Sequence, residues 1–453
     1  MLPPQSPAGA GKFPRLVNRQ APGGRLLREV VKIKLLIIGS GAREHAITWK
    51  IAQSPKVKEI FVAPGNAGTV AIAQNVNIAA TDISALLQFA RDNRIGLTVV
   101  GPEAPLSAGI TNAFLAAGLA IYGASKAASR IESSKIFTRN LLERHHIPGA
   151  WSKGFTDYNQ ALEFLGAQKA PIVIKADGLA AGKGVVVAET IAQAQAALED
   201  FMVKKTLGAA GDTILIEECL IGQEMSLFAF TDGTTLIPMV PACDYKRIFD
   251  GGKGPNTGGM GSYSPAPYYN EVMAEDIYEN IMQPTVTAMR AEGNIYRGTL
   301  YCGLMITADG PRVLEYNARF GDPETQVVLP RLKTDLVDIM RAVTEDRLAE
   351  CAIEWHTEAC VGVVMASSGY PGKYETGFPI TGLDAVDDDI MVFHAGTKPG
   401  NKLGETLTAG GRVLTIAALG TTITEARAKV YTNLPRIHFD GCYYRKDIAD
   451  IAA

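Results

Sequence analysis

The sequence lacks the features that mark a membrane protein, a nucleic-acid-binding protein or a secreted disulfide-bonded protein. No apolar run approaches the roughly 20 residues that cross a bilayer. The formal net charge is -3 and the lysines and arginines are interspersed with acids, so there is no basic field to attract nucleic acid. The six cysteines have no CxxC spacing, which argues against a zinc site or a disulfide framework. We therefore expect a cytoplasmic protein with no nucleic-acid or membrane partner.

Residues 1–31 differ in composition from the rest of the chain, with five prolines, five cations and a single acid. The prolines disfavour an amphipathic helix, so we predict a disordered extension. A targeting peptide and an overlong start to the reading frame are the alternatives.

Regular structure is predicted from residue 32 onward and is of a mixed α/β and α+β, multidomain class. In 32–133, apolar runs that end in glycine-containing loops alternate with helical spacing, which predicts a Rossmann-like N-terminal domain. The segment 134–348 contains a compact α+β lobe at about 150–222, followed by strands and a long helix. The segment 349–453 reads as a β-rich C-terminal domain.

The stretch KADGLAAGKGVVV, which begins at Lys175, predicts a phosphate-binding hairpin. It is not a P-loop, because Gly178 and Gly182 are one residue too close and a strand follows where a P-loop opens a helix. Lys175 would direct its charge at a phosphate and Lys183 would lie at the tip, while these glycines and Gly184 would let backbone amides approach the ligand. A plain solvated hairpin is the alternative.

The stretch GSGAREHA begins the first predicted helix but breaks the dinucleotide-binding pattern, because Glu44 stands where the third glycine is expected. Glu44 would repel a pyrophosphate, whereas Arg43 could pair with a phosphomonoester held at the helix amides. A phosphomonoester ligand is therefore favoured over a nicotinamide dinucleotide. The alternative is a tight turn with exposed charges.

The stretch RVLEYNARFGDPETQ predicts a metal site. Because side chains alternate along a strand, Glu315, Asn317 and Arg319 are expected on one face. Carboxylate and amide oxygens suit Mg²⁺, which completes its shell with phosphate oxygens and water. Asp322 and Glu324 crowd the following loop. A solvated sheet face is the alternative.

Two further groups of polar residues are candidates for ligand binding. Glu217 and Glu218 end an apolar strand and Glu224 follows shortly after, so these acids could accept hydrogen bonds from a ribose. Asp244 and Lys246 precede a glycine-rich loop between 251 and 261, which is either a site of close backbone approach to a ligand or a flexible linker.

These motifs resemble those of the ATP-grasp ligases, and within them the glycinamide ribonucleotide synthetase family. The resemblance spans about 32–447 and rests on seven stretches in order: GAREHA, APGNAGT, GPEAPL, KADGLAAGKGV, GPNTGGMG, LYCGLM and RFGDPETQ. It implies that 134–348 is an ATP-grasp domain with two lobes around the nucleotide. It also implies ATP-dependent ligation of glycine to phosphoribosylamine through a glycyl phosphate, in purine biosynthesis, by a monomer that uses Mg²⁺ or Mn²⁺.

The resemblance also implies roles for individual residues. Catalysis is expected from Lys175, Arg319 and Asp244, and metal binding from Glu315 and Asn317. The residues expected at the nucleotide are Lys135, Lys175, Gly178, Gly182, Lys183, Gly184, Glu217, Glu218 and Glu224. Those expected at the substrates are Gly41, Arg43, Asn66, Glu103, Asp244, Lys246, Arg319 and Asp322.

The sequence departs from the family pattern at Ala42, Tyr245 and Ala318, where glycine, histidine and cysteine are expected. The missing histidine puts its role as a proton carrier in doubt. Three other readings stay open: another ATP-grasp ligase or carboxylase, a nicotinamide-dependent oxidoreductase, and a non-catalytic nucleotide-binding module.

Overall fold

The structure is a computed structural model that describes residues 32–178 and 184–451. The predicted extension 1–31 and the predicted site residues Gly182 and Lys183 lie outside the described residues.

The N-terminal part is a parallel sheet with helices on both faces. Its strands are β1 Ile33–Gly39, β2 Val57–Pro64, β3 Gln74–Asn75, β4 Leu97–Val100 and β5 Ile121–Tyr122. Its helices are α1 Ala42–Ala52, α2 Ile83–Asp92, α3 Glu103–Ala108 and α4 Ile110–Ala116. The strand order is β3-β2-β1-β4-β5, all parallel, which confirms the predicted Rossmann-like fold. β1 is a continuous apolar run because both of its faces are buried, one beside α1 and the other beside α2 and α4.

Two helices, α5 Arg130–Ser133 and α6 Lys135–Arg144, lead into an antiparallel sheet of four strands, which we call the small lobe. The strands are β6 Ser152–Phe155, β7 Ile172–Ala176, β8 Val185–Ala188 and β9 Ile214–Glu218, in the order β6-β9-β7-β8. Helices α7 Tyr158–Gly166 and α8 Ile191–Leu198 pack on the sheet, and a π-helical turn, Glu199–Val203, extends α8. The predicted strands on either side of the glycine-rich stretch are confirmed, because β7 and β8 pair from Lys175 and Val185 outward.

A second antiparallel sheet, which we call the large lobe, has the order β11-β10-β16-β17. The strands of this stretch of chain are β10 Gln223–Thr231, β11 Leu236–Pro238, β12 Cys243–Asp244, β13 Arg247–Phe249, β14 Lys253–Asn256, β15 Gly261–Ser264, β16 Gly298–Thr307 and β17 Gly310–Asn317. The helices are α9 Glu271–Ile277, α10 Gln283–Ala291, α11 Thr325–Val328 and α12 Leu336–Thr344, with a π-helical turn, Tyr278–Met282, joining α9 to α10. β17 carries a β-bulge, because Glu315 pairs with Gly303 but Val313 pairs with Leu304, so that Leu314 is the extra residue.

The C-terminal segment is rich in antiparallel strands, as predicted. They are β18 Ala359–Ser367, β19 Pro379–Ile380, β20 Ile390–His394, β21 Thr397–Pro399, β22 Thr406–Thr408, β23 Arg412–Gly420 and β24 Cys442–Tyr443, and helix α13 Ile423–Asn433 packs on β23 and β18. The main sheet has the order β12-β15-β18-β23-β20. Two of its strands, β12 and β15, therefore come from a part of the sequence that we placed in the preceding domain.

The glycine-rich stretch after Asp244 is not an irregular linker over its whole length. It contains the two-stranded hairpin β13–β14 and ends in β15, whose residues are buried. Short 3-10 turns complete the described elements: Thr69–Ala71, Gly208–Gly211, Asp250–Gly252, Leu329–Arg331, Leu348–Glu350 and Leu434–Arg436. None of the helices in the described ranges combines the length and apolarity that a bilayer crossing requires.

Candidate functional site

Lys175 lies at the centre of a buried ionic cluster. It is on β7, and its Nζ is 2.7 Å from Oε2 of Glu217 on the adjacent strand β9. Arg139 of α6 donates to both oxygens of the same carboxylate, from Nε to Oε1 at 2.8 Å and from Nη2 to Oε2 at 2.9 Å. All three residues are less than a tenth exposed. Burial lowers the pKa of Lys175 against the attraction of the carboxylate, and burial raises the pKa of Glu217 but the two cations outweigh it and hold that pKa at about 2.

This cluster changes the interpretation of the acids that end β9. Both oxygens of Glu217 accept hydrogen bonds from cations of the protein, so the group is not a free acceptor for a ribose. Glu218 accepts from the backbone N–H of Trp151 at 2.9 Å and pairs with Arg312 at 3.2 Å. A nucleotide role for either carboxylate stays a prediction, and the geometry of Glu217 favours an indirect one.

Lys135 begins α6 and reaches the glycine-rich stretch. Its Nζ donates to the carbonyl of Gly178 at 3.1 Å. Gly178 has a φ of +112°, which favours glycine, and the carbonyl of Gly184 accepts the backbone N–H of Ala176 at 2.8 Å. Gly178, where the predicted phosphate-binding stretch begins, therefore lies beside a second lysine.

Glu315 is the acid around which the predicted site residues gather. Burial raises the pKa of Glu315, but nearby cations outweigh burial and hold the pKa below its ordinary value. In decreasing order of effect, these cations are Lys246, Lys175, Lys135 and Arg319. Two of these cations are bound to other acids, Lys175 to Glu217 and Lys246 to Glu224.

The donors at this point fit a magnesium ion shared with phosphate. Glu315 and Asn317 lie on one side of β17, and their carboxylate and amide oxygens are hard donors of the kind that Mg²⁺ binds. The part of the chain that the structure describes has no group of three His, Cys, Asp or Glu side chains suited to a metal. A Mg²⁺ ion held here would therefore take the remainder of its shell from phosphate oxygens and water.

Asp244 on β12 belongs to the same charged group. Burial raises its pKa to about 7, and the neighbouring carboxylates of Glu324, Glu224 and Glu315 act in the same direction while Lys246 opposes them. Lys246 is bound to Glu224, with 2.8 Å between Nζ and Oε2. Asp244 is thus a carboxyl that can take up or release a proton near neutral pH.

Arg319 lies just beyond β17, not on it as the alternation predicted, but its guanidinium still reaches Oδ1 of Asn317 at 3.3 Å. It also donates to Glu103 at the start of α3 at 3.2 Å and pairs with Glu132 of α5 at 3.0 Å. Burial raises the pKa of Glu103, but the charges of Arg319 and Arg43 outweigh it and the net pKa is lowered. Arg319 therefore joins the metal-ligand strand to the carboxyl edge of the N-terminal sheet.

The start of α1 differs from the exposed turn that was the alternative reading. Arg43 and Glu44 are both buried and are 2.5 Å apart, and Arg43 also donates to the carbonyl of Phe320 at 3.2 Å. The backbone N–H of Gly41, which was expected to face a phosphate, donates to Glu44 at 2.6 Å. A phosphate at this helix start would have to displace that carboxylate.

Asn66 is buried and its side chain is fully engaged within the protein. Its Nδ2 donates to the carbonyls of Ser40 and His394, at 2.9 and 2.7 Å, and its Oδ1 accepts from the backbone N–H groups of Gly68 and Thr69. The predicted substrate contact at Asn66 therefore has no free side-chain group to carry it. Asn66 instead fixes the loop after β2 against the loop after β1.

Asp322 is bound through one of its carboxylate oxygens to two side chains of the protein. Its Oδ1 accepts from Gln326 at 2.9 Å and pairs with Arg412 of β23 at 3.1 Å. Arg412 also donates to the carbonyl of Gly258, so that the C-terminal segment reaches the site. Burial raises the pKa of Asp322, but Arg412 and Arg43 outweigh it and the net pKa is lowered.

Three charged residues at the site were missed from the sequence: Arg139, Glu132 and Arg412. Arg139 is one helical turn after Lys135, and this i, i+4 spacing places both on one side of α6. The spacing was a usable signal for Arg139. The other two come from stretches with no motif, and only the fold brings them to Arg319 and Asp322.

Comparison with known proteins identifies three family models in order along the chain. The N domain of phosphoribosylglycinamide synthetase matches residues 33–132, its ATP-grasp (A) domain matches 133–325, and its C domain matches 360–451. The chain is 50% identical over 420 residues to a phosphoribosylamine-glycine ligase of Halalkalibacterium halodurans, covering 93% of this chain and 97% of the relative. It is 51% identical over 420 residues to that of Escherichia coli, covering 92% and 98%.

Solved structures agree in fold. The crystal structure of the phosphoribosylamine-glycine ligase of Thermotoga maritima superposes with a TM-score of 0.80 at 31% identity, over 92% of this chain and all of that one. The biotin carboxylase domain of the Hydrogenobacter thermophilus 2-oxoglutarate carboxylase has a TM-score of 0.71 at 13% identity, over 92% and 95%, which is a likeness of fold alone. The chain therefore belongs to the phosphoribosylglycinamide synthetase family of ATP-grasp ligases.

Proposed function

We propose that this member of the family catalyses the ATP-dependent ligation of glycine to 5-phospho-β-D-ribosylamine. The products are glycinamide ribonucleotide, ADP and phosphate, in the de novo route to purines. The observation that supports this function is a sequence identity of about 50% to phosphoribosylamine-glycine ligases, over nearly the whole length of this chain and of each relative. The arrangement of cations around Glu315 supports it.

The reaction needs a group that makes the glycine carboxylate reactive, because a carboxylate is a poor electrophile. Transfer of the γ-phosphoryl group of ATP to glycine gives a glycyl phosphate, and the charge that moves with it must be neutralised. Lys175 and Lys135 are placed to contribute positive charge at the phosphates. Glu315 and Asn317 would hold Mg²⁺ or Mn²⁺, which would neutralise charge on the transferred group.

We place glycine near Asp244, Lys246, Arg319 and Asp322. The amine of phosphoribosylamine then attacks the acyl carbon, phosphate leaves, and the amine gives up a proton. Asp244 is suited to receive that proton, since its pKa of about 7 lets it exchange protons near neutrality. This places the proton carrier next to Tyr245, the position at which the family's histidine is missing.

We place phosphoribosylamine at Gly41, Arg43 and Glu103, with its phosphate at Gly41 and Arg43. The short contact between Arg43 and Glu44 means that phosphate binding is coupled to release of that carboxylate from Arg43 and from the amide of Gly41. Asn66 acts on this subsite by holding the loop, not by direct contact.

We also propose a cytoplasmic monomer with the domain bounds expected from the sequence. The six cysteines are all free, which is typical of a reducing compartment. The matched segments 33–132, 133–325 and 360–451 support the division of the chain into N-terminal, ATP-grasp and C-terminal parts.

The test is release of ADP with ATP, Mg²⁺, glycine and freshly made phosphoribosylamine, with each omitted in turn. We expect ADP release to require all of them and glycinamide ribonucleotide to form in equal amount. Release that depended on formate or bicarbonate in place of glycine would refute the function. Binding of ATP with no glycine-dependent ADP release would instead indicate a non-catalytic module.

A further inference from the structure

Arg139 makes every one of its contacts inside the protein, yet each lies beside a residue of the nucleotide site. We propose that Arg139 is a positioning residue that neutralises Glu217 and thereby leaves Lys175 with a net positive charge for the nucleotide phosphates. This inference rests on the proposed use of ATP. In it, Arg139 acts through Glu217 and Lys175 and touches neither ATP nor the reacting atoms.

The balance of charge is the first reason. Lys175 and Glu217 alone, with 2.7 Å between Nζ and Oε2, would form a neutral pair. The lysine would then offer little attraction to a triphosphate. With Arg139 bound through two hydrogen bonds to the same carboxylate, the three side chains carry a net charge of +1. The surplus lies on Lys175, because both oxygens of Glu217 are already held by the guanidinium.

The backbone is the second reason. Nη1 of Arg139 donates to the carbonyl of Val313 at 3.0 Å, and Nη2 donates to the carbonyl of Leu314 at 2.7 Å. Leu314 is the extra residue of the bulge in β17, so its carbonyl is released from the regular ladder. Lys175 approaches the same carbonyl at 3.4 Å. Arg139 thus fixes Lys175 of the small lobe at the strand whose next residue is the predicted metal ligand Glu315.

A side chain with only a packing role would give a different outcome when its partner is also removed. Arg139→Met leaves the neutral Lys175–Glu217 pair, whereas Arg139→Met with Glu217→Gln leaves Lys175 alone with its charge. If charge balance is what matters, the double variant recovers nucleotide affinity that the single variant loses. If the network serves only to hold the lobes, removing both partners recovers nothing.

The experiment is equilibrium titration of each full-length variant with ADP and Mg²⁺, together with KM for ATP and kcat. We expect Arg139→Met to weaken ADP binding and to raise KM for ATP by about tenfold or more, the range for loss of one charge-assisted interaction. The double variant should recover most of that loss, and Arg139→Lys, which keeps the charge, should do the same. KM for glycine at saturating ATP should stay unchanged.

The pH dependence of kcat/KM for ATP distinguishes a role in charge balance from a role in packing, because loss of packing alone would not shift it. Burial, and then the repulsion of Arg139, lowers the pKa of Lys175, so Arg139→Met should move the alkaline limb of kcat/KM for ATP to higher pH. The matched control is Arg144→Met, an exposed arginine on the same helix that pairs with Glu292 at 2.8 Å. It should bind ADP as the unaltered protein does.

Two results would overturn the inference: ADP binding by Arg139→Met equal to that of the unaltered protein, or a double variant that binds no better than the single one. If Arg139→Met does not fold, Arg139→Gln, which can still donate to Leu314, takes its place in the same comparison. Failure of the proposed function appears separately, as an unaltered protein that binds ADP but shows no glycine-dependent turnover.

Discussion

Replacing Arg319 with Met should lower the free energy of unfolding by about 3 kcal/mol at neutral pH. The guanidinium is 3.0 Å from Glu132 and 3.2 Å from Glu103. Only 7% of the Glu132 side chain is exposed, so the substitution leaves a buried carboxylate without its cation. Breaking such a pair costs about 3–5 kcal/mol, and the lower end applies because Glu103 is 35% exposed and water can solvate it.

The loss should shrink as the pH falls. Burial raises the pKa of Glu132 against the opposing charge of Arg319, and Arg319 is the leading cation that lowers the pKa of Glu103. Without it, both carboxyls bind protons more tightly in the folded variant than in the folded unaltered protein. The folded variant therefore takes up protons more readily as pH is lowered, so it gains stability relative to the unaltered protein as the pH falls from neutrality towards the ordinary glutamate pKa of about 4.3.

The assay is the midpoint of urea unfolding, followed by circular dichroism at several pH values. The control is Arg312→Met, because Arg312 pairs with Glu218 at 3.2 Å in a more exposed position and should cost less than about 1 kcal/mol. A deficit for Arg319→Met that stayed constant or grew towards about pH 5 would refute the assignment of the loss to orphaned carboxylates.

Three further predictions concern the metal, the C-terminal segment and the histidines. Glu315→Gln should raise the Mg²⁺ concentration for half-maximal ADP release by about tenfold or more, and an unchanged requirement would place the metal elsewhere. Arg412→Gln should raise KM for glycine more than KM for ATP, because Asp322, which we place near glycine, loses the cation at 3.1 Å; equal effects would contradict this. Burial lowers the pKa of His45 to about 3 and of His394 to about 4, so both histidines take up protons when the protein unfolds. The free energy of unfolding should therefore fall as the pH drops below about 6.5, by about 1.4 kcal/mol per pH unit for each histidine. His394→Phe should remove one histidine's share of that slope in urea midpoints, and an unaltered slope would count against it.

The fold was predictable where a single element carries its own pattern. The apolar run Leu35 to Ile38 predicted the first strand of the Rossmann-like domain, and the β-branched residues after Gly184 predicted a strand where a P-loop would begin a helix. The register of β17 was not predictable, because the bulge at Leu314 depends on the partner strand. Side chains at Glu315 and Asn317 still share a face, since both lie beyond the bulge.

The candidate site was predictable only in part because its charges are balanced by residues far away in the sequence. Glu217 looked like a free acid at a strand end, and nothing near it indicated that Arg139, 78 residues earlier, neutralises it. Arg43 was expected to face a phosphomonoester, and its buried contact with Glu44 was not predicted. Their burial follows from the packing of Phe320 and its neighbours against α1, which no local pattern describes.

The strands β12 and β15, which lie within the matched ATP-grasp segment, form a single sheet with strands of the C-terminal segment. β15 pairs with β18 along its whole length, from Gly261 opposite Val363 to Ser264 opposite Cys360. A chain shortened before β18 would expose the backbone N–H and C=O groups of a buried strand, and an isolated C-terminal piece would present the complementary open edge. The C-terminal segment is therefore not a module that evolution or an engineer can exchange freely between ligases, because its sheet must be inherited together with the strands that precede the long helix.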